Sequence, residues 1–199
     1  MTRLPHPIER ESYAILRSRV DTTGYPPLTR AVIERVIHAT ADVALADDIV
    51  CDEVTLAAAV EALRGGARIV ADVGMVAAGI TSRPVVSLVG SPEAARLAAD
   101  AGITRSAAAV RLALAHVGAG AVWVVGCAPT ALTELLALAD SARPALIVGM
   151  PVGFVGAVES KKSLRDSGLP AVSNVSERGG SAMASAAVNA LLYAGEDAP

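Results

Sequence analysis

Five short apolar segments alternate with helical segments, and this alternation limits what the chain can fold into. Each apolar segment is continuous rather than alternating in polarity, as in strands that are buried on both faces of a parallel sheet. Helix start signals such as Ser91-Pro92-Glu93 and Pro129 lie between the segments. The pattern predicts one α/β domain over residues 1–199, with a mostly parallel central sheet of about five flanked strands. The predicted strands are Arg68–Ala71, Pro84–Val89, Ala121–Val125, Ala145–Val148 and, more weakly, Pro170–Ser173.

Two helices are predicted before the sheet. The first begins near Pro7, and the second covers about Leu28–Ala41. A third, about Asp52–Arg64, stops at a Gly-Gly pair. The first two carry more apolar surface than one sheet edge needs, which predicts a homodimer. The apolar residues used for this prediction are Tyr13, Leu16, Val32 and Val36.

The composition excludes several classes of protein. The chain is 53% hydrophobic but only 3% aromatic, with a formal net charge of −3. It lacks the basic surface and stacking aromatics of a nucleic-acid binder. No apolar run is long enough to span a membrane, and the N-terminal sequence is too polar for a signal peptide. Cys51 and Cys127 lie far apart without a CxxC pair, so free thiols in the cytoplasm are the simplest expectation, although one disulfide remains an alternative.

Ligands of such sheets bind beyond the carboxyl ends of the strands. This rule selects the segments that follow each predicted strand, several of which are rich in glycine and allow close backbone approach. The segments are Asp72 onward, Ser87–Ser91, Gly126–Thr130, Gly149–Phe154 and Asn174–Ser181.

His38 is the most informative of the three histidines. It lies near the predicted end of the second helix, where the helix dipole and Glu34 one turn earlier would favour the imidazolium. A histidine so placed can act as a general acid near neutral pH. The alternative is a structural histidine on a helix flank, which position alone favours.

Basic residues supply a second set of candidates. Arg105 begins a predicted helix, where it can hold a carboxylate together with free backbone N–H groups. Lys161 and Lys162 carry further positive charge, and for all three residues the alternative is a solvated helix face. The Gly-rich turn at Arg178–Ser181 opens the last helix and resembles an anion site, or an ordinary cap. The turn lacks the P-loop spacing, and no GxGxxG follows the first strand. The paired acids Asp47-Asp48 and Asp52-Glu53 have no visible metal partner and are expected to be solvated turns and helix starts.

Seven collinear blocks resemble the precorrin-8X methylmutase family of cobalamin biosynthesis. They cover about residues 7–191, and their order and number make the resemblance specific. The blocks are HPIERESYAILRS, RVIHATAD, DVGMVAAGI, GITRSAAAV, APTAL, GMPVGFVGAVESK and GGSAMASAAVNAL.

The resemblance implies a homodimeric isomerase that needs no cofactor or metal. The family moves a methyl group from ring carbon 11 to ring carbon 12 of a corrinoid polycarboxylate by a 1,5-sigmatropic shift. The product is hydrogenobyrinic acid, or cobyrinic acid in the cobalt form. The family's catalytic histidine matches His38, which would protonate the macrocycle. The residues expected to bind substrate are Ser12, Thr40, Met75, Arg105, Ser106, Lys161, Gly179, Gly180 and Ser181.

Two segments depart from the family pattern. Cys127 stands where many members have asparagine, and Ser176-Glu177-Arg178 replaces a Gly-Arg pattern before the Gly-Gly-Ser turn. Two other functions stay open at this point. One is a non-catalytic corrinoid carrier or chaperone with the same pocket, and the other is an unrelated α/β enzyme acting on an anionic metabolite.

Overall fold

A six-stranded sheet forms the centre of the computed structural model, which describes residues 6–194. The strand order is β1-β6-β5-β4-β2-β3, and every neighbouring pair is parallel except β1 with β6. The predicted mostly parallel sheet is confirmed, with one additional antiparallel edge strand that the sequence did not predict. The strands are β1 (Ile49–Val50), β2 (Ile69–Ala71), β3 (Val85–Val86), β4 (Val122–Val125), β5 (Leu146–Gly149) and β6 (Ala171–Asn174).

Ten α-helices surround the sheet within the described residues, together with a short 3₁₀ helix at Val43–Ala46. None of them is long and apolar enough to cross a lipid bilayer. Helix α4 was not predicted, because six residues between two glycines show no helical periodicity. The helices are α1 (Pro7–Arg19), α2 (Pro27–Thr40), α3 (Glu53–Arg64), α4 (Gly74–Gly79), α5 (Pro92–Ala101), α6 (Arg105–Val117), α7 (Pro129–Ala137), α8 (Ala139–Ala142), α9 (Ala157–Asp166) and α10 (Ser181–Leu192).

The helices divide into two layers, one on each face of the sheet. Successive strand residues point to opposite faces, so Ile69 and Ala71 pack under α1–α4 and α10, whereas Val70 packs with α6–α9. In the first layer α2 lies along α10.

Three of the apolar residues used to predict a dimer, Leu16, Val32 and Val36, belong to this core. Tyr13, Leu16, Val32 and Val36 are all buried within the single chain. The argument for a dimer from their excess apolar surface is therefore wrong, because Leu16, Val32 and Val36 pack in the core of the chain and Tyr13 stacks on His38.

The first layer meets the carboxyl edge of the sheet through close backbone contacts. The chain before α10 crosses the end of β5, where the Gly180 N–H donates to the Met150 carbonyl at 2.9 Å. A side chain at Gly179 would lie 2.4 Å from that carbonyl oxygen, so only glycine fits there. An ion pair between Arg178 and Asp42, at 3.2 Å, joins this turn to the segment after α2. The end of α2, with His38, is thus held near the carboxyl edge.

Candidate active site

His38 and Ser12 face each other across α1 and α2. The Ser12 Oγ lies 2.8 Å from the His38 Nδ1. The Tyr13 ring stacks on the imidazole with centroids 5.0 Å apart and an interplanar angle of 10°. No hydrogen bond engages the His38 Nε2 within residues 6–194, so this nitrogen is the one left to meet a ligand. Ser12 and Tyr13 therefore fix the ring orientation and leave one imidazole nitrogen available.

The charge environment of His38 differs from the sequence-based expectation. Partial burial lowers the pKa of His38 below its ordinary value, the nearby Arg35 guanidinium lowers it further, and Glu9 opposes both. Glu34 does not supply the expected negative charge. Its carboxylate is buried and accepts hydrogen bonds from Arg17 at 2.8 Å and from Thr22. The prediction of a favoured imidazolium is therefore wrong for the free protein.

Arg35 holds the charges around the histidine in place. Its guanidinium pairs with Glu9 at 2.7 Å and lies 5.3 Å from the centroid of the Tyr193 ring. The two charges that act on the pKa of His38, Arg35 on α2 and Glu9 on α1, are therefore held in place by each other, and the Tyr193 ring packs on Arg35.

Lys161 lies inside the protein rather than on a helix face. Its side chain is 0% exposed, and the Nζ donates to the Asn174 Oδ1 at 3.1 Å, to the Arg178 carbonyl at 2.6 Å and to the Ser176 carbonyl. Burial lowers the pKa of Lys161 to about 8. The solvated-face alternative is therefore wrong for Lys161, whereas Lys162 is exposed and pairs with Asp166.

The Gly179–Ser181 turn lies beside the loop that follows β4. A side chain at Gly126 would come within 3.0 Å of the Ser181 Cα. The backbone of Gly180 has φ +124°, a conformation that glycine adopts without strain. The turn thus brings the N-terminus of α10 against the centre of the carboxyl edge.

Asp72 occupies the backbone N–H groups of the loop after β4. Its carboxylate accepts from Gly126 at 3.1 Å and from Cys127 and Ala128 at 2.8 Å each. Burial raises the pKa of Asp72, and these three bonds act in the opposite direction. The sequence placed Asp72 at a strand end but did not indicate this role. Cys127 enters the contact through its backbone, while its side chain is exposed.

Arg105 and Ser106 begin α6 on the other side of the sheet. Thr104 caps this helix, and its Oγ1 lies 2.8 Å from the Thr130 Oγ1 at the start of α7. The Arg105 side chain is exposed, without a hydrogen bond or ion pair in the described part of the chain. The structure does not bring Arg105 into contact with His38.

Thr40 and Met75 have different surroundings. The Thr40 hydroxyl donates to the Val36 carbonyl at 2.9 Å, inside its own helix. Met75 is 74% exposed on α4.

An apolar loop rises from the centre of this edge. We call residues 152–155, between β5 and α9, the flap. Phe154 is 94% exposed and Val155 is 87% exposed. The flap is anchored by the Gly153 N–H, which donates to the Glu177 carbonyl at 3.2 Å. An apolar surface thus stands between the polar groups of the two helical layers.

No group of three histidine, cysteine, aspartate or glutamate side chains among residues 6–194 is placed to hold a metal ion. The available groups are one oriented imidazole, exposed and buried cations, helix N-termini and apolar surface. Together they suit acid–base chemistry on an anionic ligand with large apolar faces.

Fold and site define an α/β enzyme with an oriented imidazole near the carboxyl edge of its sheet. A profile of the family described as precorrin-8X methylmutase (CbiC) matches residues 7–194. A precorrin-8X methylmutase from Pseudomonas aeruginosa is 43% identical, covering 92% of this chain and 93% of that protein. A cobalt-precorrin-8 methylmutase from Salmonella typhimurium is 40% identical, covering 95% of each chain. The crystal structure of the Thermus thermophilus precorrin-8X methylmutase superposes with a TM-score of 0.86 at 36% identity, covering 96% of each chain.

The chain therefore belongs to the precorrin-8X methylmutase family. It is an isomerase of cobalamin biosynthesis, which confirms the family and enzyme class predicted from its sequence blocks. The similarities do not support the alternative of a non-catalytic carrier.

Proposed function

We propose that the protein moves a methyl group from ring carbon 11 to ring carbon 12 of precorrin-8X, or of its cobalt form. The product is hydrogenobyrinic or cobyrinic acid. The observation that carries this proposal is the imidazole of His38, which Ser12 orients at 2.8 Å and which keeps its Nε2 available. The similarity to precorrin-8X and cobalt-precorrin-8 methylmutases supports the choice of substrate.

His38 acts as the proton donor in this proposal. When the ring is protonated, its Nδ1–H donates to the Ser12 oxygen and the Nε2–H points to the ligand. Transfer of this proton to the conjugated macrocycle would favour the methyl shift and leave the imidazole neutral. Return of the proton from the product to the Nε2 afterwards would restore the imidazolium. Carboxylates of the bound substrate would raise the pKa of His38, offsetting the effect of Arg35.

The rim of the macrocycle carries carboxylates, which need cations and N–H donors. Arg105 offers a free guanidinium beside the N-terminus of α6, where Ser106 lies. Gly180 and Ser181 offer the N-terminus of α10. The apolar faces of the ring would contact the flap and Met75, whose side chains are exposed at the same edge. This division of polar and apolar surface matches a flat polycarboxylate.

We also propose that the enzyme works as a homodimer with its sites near the subunit boundary. Ile8 is 70% exposed and Ile15 is 45% exposed. Ser12 lies between them at helical spacing, so all three share one face of α1. A partner subunit packed on Ile8 and Ile15 would border the Ser12–His38 pair.

The free thiols of Cys51 and Cys127 support a reducing, cytoplasmic compartment.

The experiment that tests the catalytic role is single-turnover conversion of precorrin-8X by His38→Asn, followed by the change in visible spectrum. We expect turnover to fall by about 10²–10⁴-fold, because general acid catalysis contributes that much. Affinity for hydrogenobyrinic acid should fall only modestly, since the rim contacts remain. His116→Asn is the matched control, because His116 is exposed in the last turn of α6. Near-normal turnover of His38→Asn would exclude the acid role.

A second measurement, binding and conversion by the unmodified protein, distinguishes an isomerase from a non-catalytic corrinoid carrier. If the unmodified protein binds hydrogenobyrinic acid but never converts precorrin-8X, the carrier function is correct and the isomerase proposal fails. If it neither binds nor converts a corrinoid, an unrelated anionic metabolite becomes the substrate class.

A further inference from the structure

Lys161 has no N–H left for a ligand. An ammonium group carries three donors, and the Lys161 Nζ has three protein acceptors: the Asn174 side chain and the carbonyls of Ser176 and Arg178. The side chain is fully buried. A direct salt bridge to a substrate carboxylate would therefore require breaking a buried, satisfied network, which is costly.

Asp48 and Asn174 complete this network. The Asn174 Nδ2 donates to the Asp48 Oδ2 at 2.9 Å and to the Arg178 carbonyl at 2.9 Å. Asp48 also accepts from the backbone N–H of Ser176 at 2.8 Å and from the Ser176 hydroxyl at 2.7 Å. Asp48, Asn174 and Lys161 thus all bind the same short segment, residues 175–178: Asp48 accepts from its N–H groups, whereas Asn174 and Lys161 donate to its carbonyls.

This segment leads directly into the Gly179–Ser181 turn. Its carbonyls at Ser176 and Arg178 are both bound to Lys161, and the Arg178 side chain pairs with Asp42 after α2. The next residue, Gly179, has no room to shift toward Met150 and Pro151. The path of the segment therefore determines where the N–H groups at the start of α10 lie.

We propose that Asp48, Asn174 and Lys161 are positioning residues that hold the segment 175–178. By holding it, they position for the reaction the N-terminus of α10 and the residues at Asp42 that follow α2. The part of this inference that concerns the reaction rests on the proposed function, whereas the hydrogen-bond network can be tested without substrate. This positioning role takes the place of the direct contact between Lys161 and a substrate carboxylate that the sequence resemblance implies.

The first experiment compares Lys161→Met with Lys162→Met, neighbouring variants that lose the same charge. Amide hydrogen exchange of residues 175–181 in the free protein should speed up in Lys161→Met and stay unchanged in Lys162→Met. Single-turnover conversion should fall about 100-fold in Lys161→Met, because small displacements of positioned groups are that costly. Lys162 is exposed, so its variant should convert precorrin-8X at the normal rate.

Asp48→Asn provides the second test, and it applies even if Lys161→Met fails to fold. Asp48 is placed on the far side of Asn174 from Lys161, so a direct-contact role for Lys161 predicts normal conversion and normal exchange in Asp48→Asn. The positioning role predicts faster exchange of residues 175–181 and slower conversion. The double variant of Lys161 and Asp48 should lose less than the product of the two single losses.

Two outcomes would overturn the proposal. One is normal exchange and conversion in a folded Asp48→Asn protein. The other is a Lys161→Met protein that loses product affinity while residues 175–181 stay protected, which would restore the direct contact. Failure of the unmodified protein to convert precorrin-8X would instead remove the proposed function and leave the exchange result as a separate finding.

Discussion

The imidazole of His38 is held between neighbours with opposing effects. Burial and Arg35 favour its neutral form, whereas Glu9 favours the charged form. Such a balance suits a group that must both give and recover a proton in one turnover. In the proposed reaction the substrate carboxylates would add negative charge, so protonation of His38 and substrate binding would be coupled.

This balance predicts how the wild-type reaction depends on pH. The kcat/KM profile reports the free enzyme, in which burial and the Arg35 guanidinium hold the pKa of His38 below its ordinary value. Because the protonated ring is the acid in the proposed reaction, kcat/KM should be constant below that lowered pKa and should decline steadily as the pH rises above it. The measurement is conversion of precorrin-8X under subsaturating conditions from pH 5 to pH 8. His38→Asn should show a low rate without this decline, and a wild-type rate that rises over the range would contradict the acid role.

Sequence reasoning reached His38 but not its electrostatics. Its helical position near a C-terminus was visible, and the match to the family pointed to it and to Ser12. The charges that set its pKa come from Arg35 and from Glu9 on another helix, and Glu34 turned away to Arg17 and Thr22. Contacts between side chains on different helices produce no regular spacing in the sequence, so these partners could not be predicted from it.

At the scale of elements, the flap shows an unusual use of an aromatic side chain. Phe154 is the single phenylalanine of the chain, and it lies almost fully in solvent, whereas the single tryptophan, Trp123, is buried. Exposed large apolar groups next to a polar rim are typical of a binding surface.

Phe154→Ala should therefore weaken product binding without destabilising the fold. Burial of such a ring against a ligand contributes about 1.5–3 kcal/mol, so affinity for hydrogenobyrinic acid should fall by at least about tenfold. The free energy of unfolding should change by less than about 0.5 kcal/mol, because the side chain has few contacts to lose. Titration and thermal unfolding measure the two effects.

Val54→Ala is the control for this prediction. Val54 is also exposed, but it lies at the start of α3, beyond the end of β1 and away from the carboxyl edge. Its product affinity should be unchanged. Unaltered affinity in both variants would remove the flap from the binding surface.

The elements themselves were largely predictable, and their exceptions have physical reasons. Buried parallel strands read as continuous apolar runs, so β2 to β6 were found with boundary shifts of a few residues. Strand β1 has two residues and depends on pairing with β6, far along the chain. The role of Asp48 depends on the same distant pairing, so neither could be seen locally.

At the scale of the whole molecule, α1 presents the surface for the proposed dimer. Ile15→Asp should shift the protein from dimer to monomer in analytical ultracentrifugation at micromolar concentration, because a charge in an apolar interface is costly. Its unfolding temperature at low protein concentration should stay close to that of the wild type, since Ile15 is partly exposed. Val54→Asp serves as the control and should leave the mass unchanged.

A wild-type protein that sediments as a monomer would exclude the homodimer. A wild-type dimer that Ile15→Asp leaves intact would place the interface away from this face of α1.

The packing of α2 along α10 has a consequence for biosynthesis. The helix that carries His38 is synthesised well before its main partner, Ser181–Leu192. Asp48 likewise waits for Ser176, 128 residues later in the chain. Such non-local closure is slow and comes late in folding. The nascent chain therefore carries His38 before its surroundings are assembled, and the proposed site forms only when α10 has packed against α2.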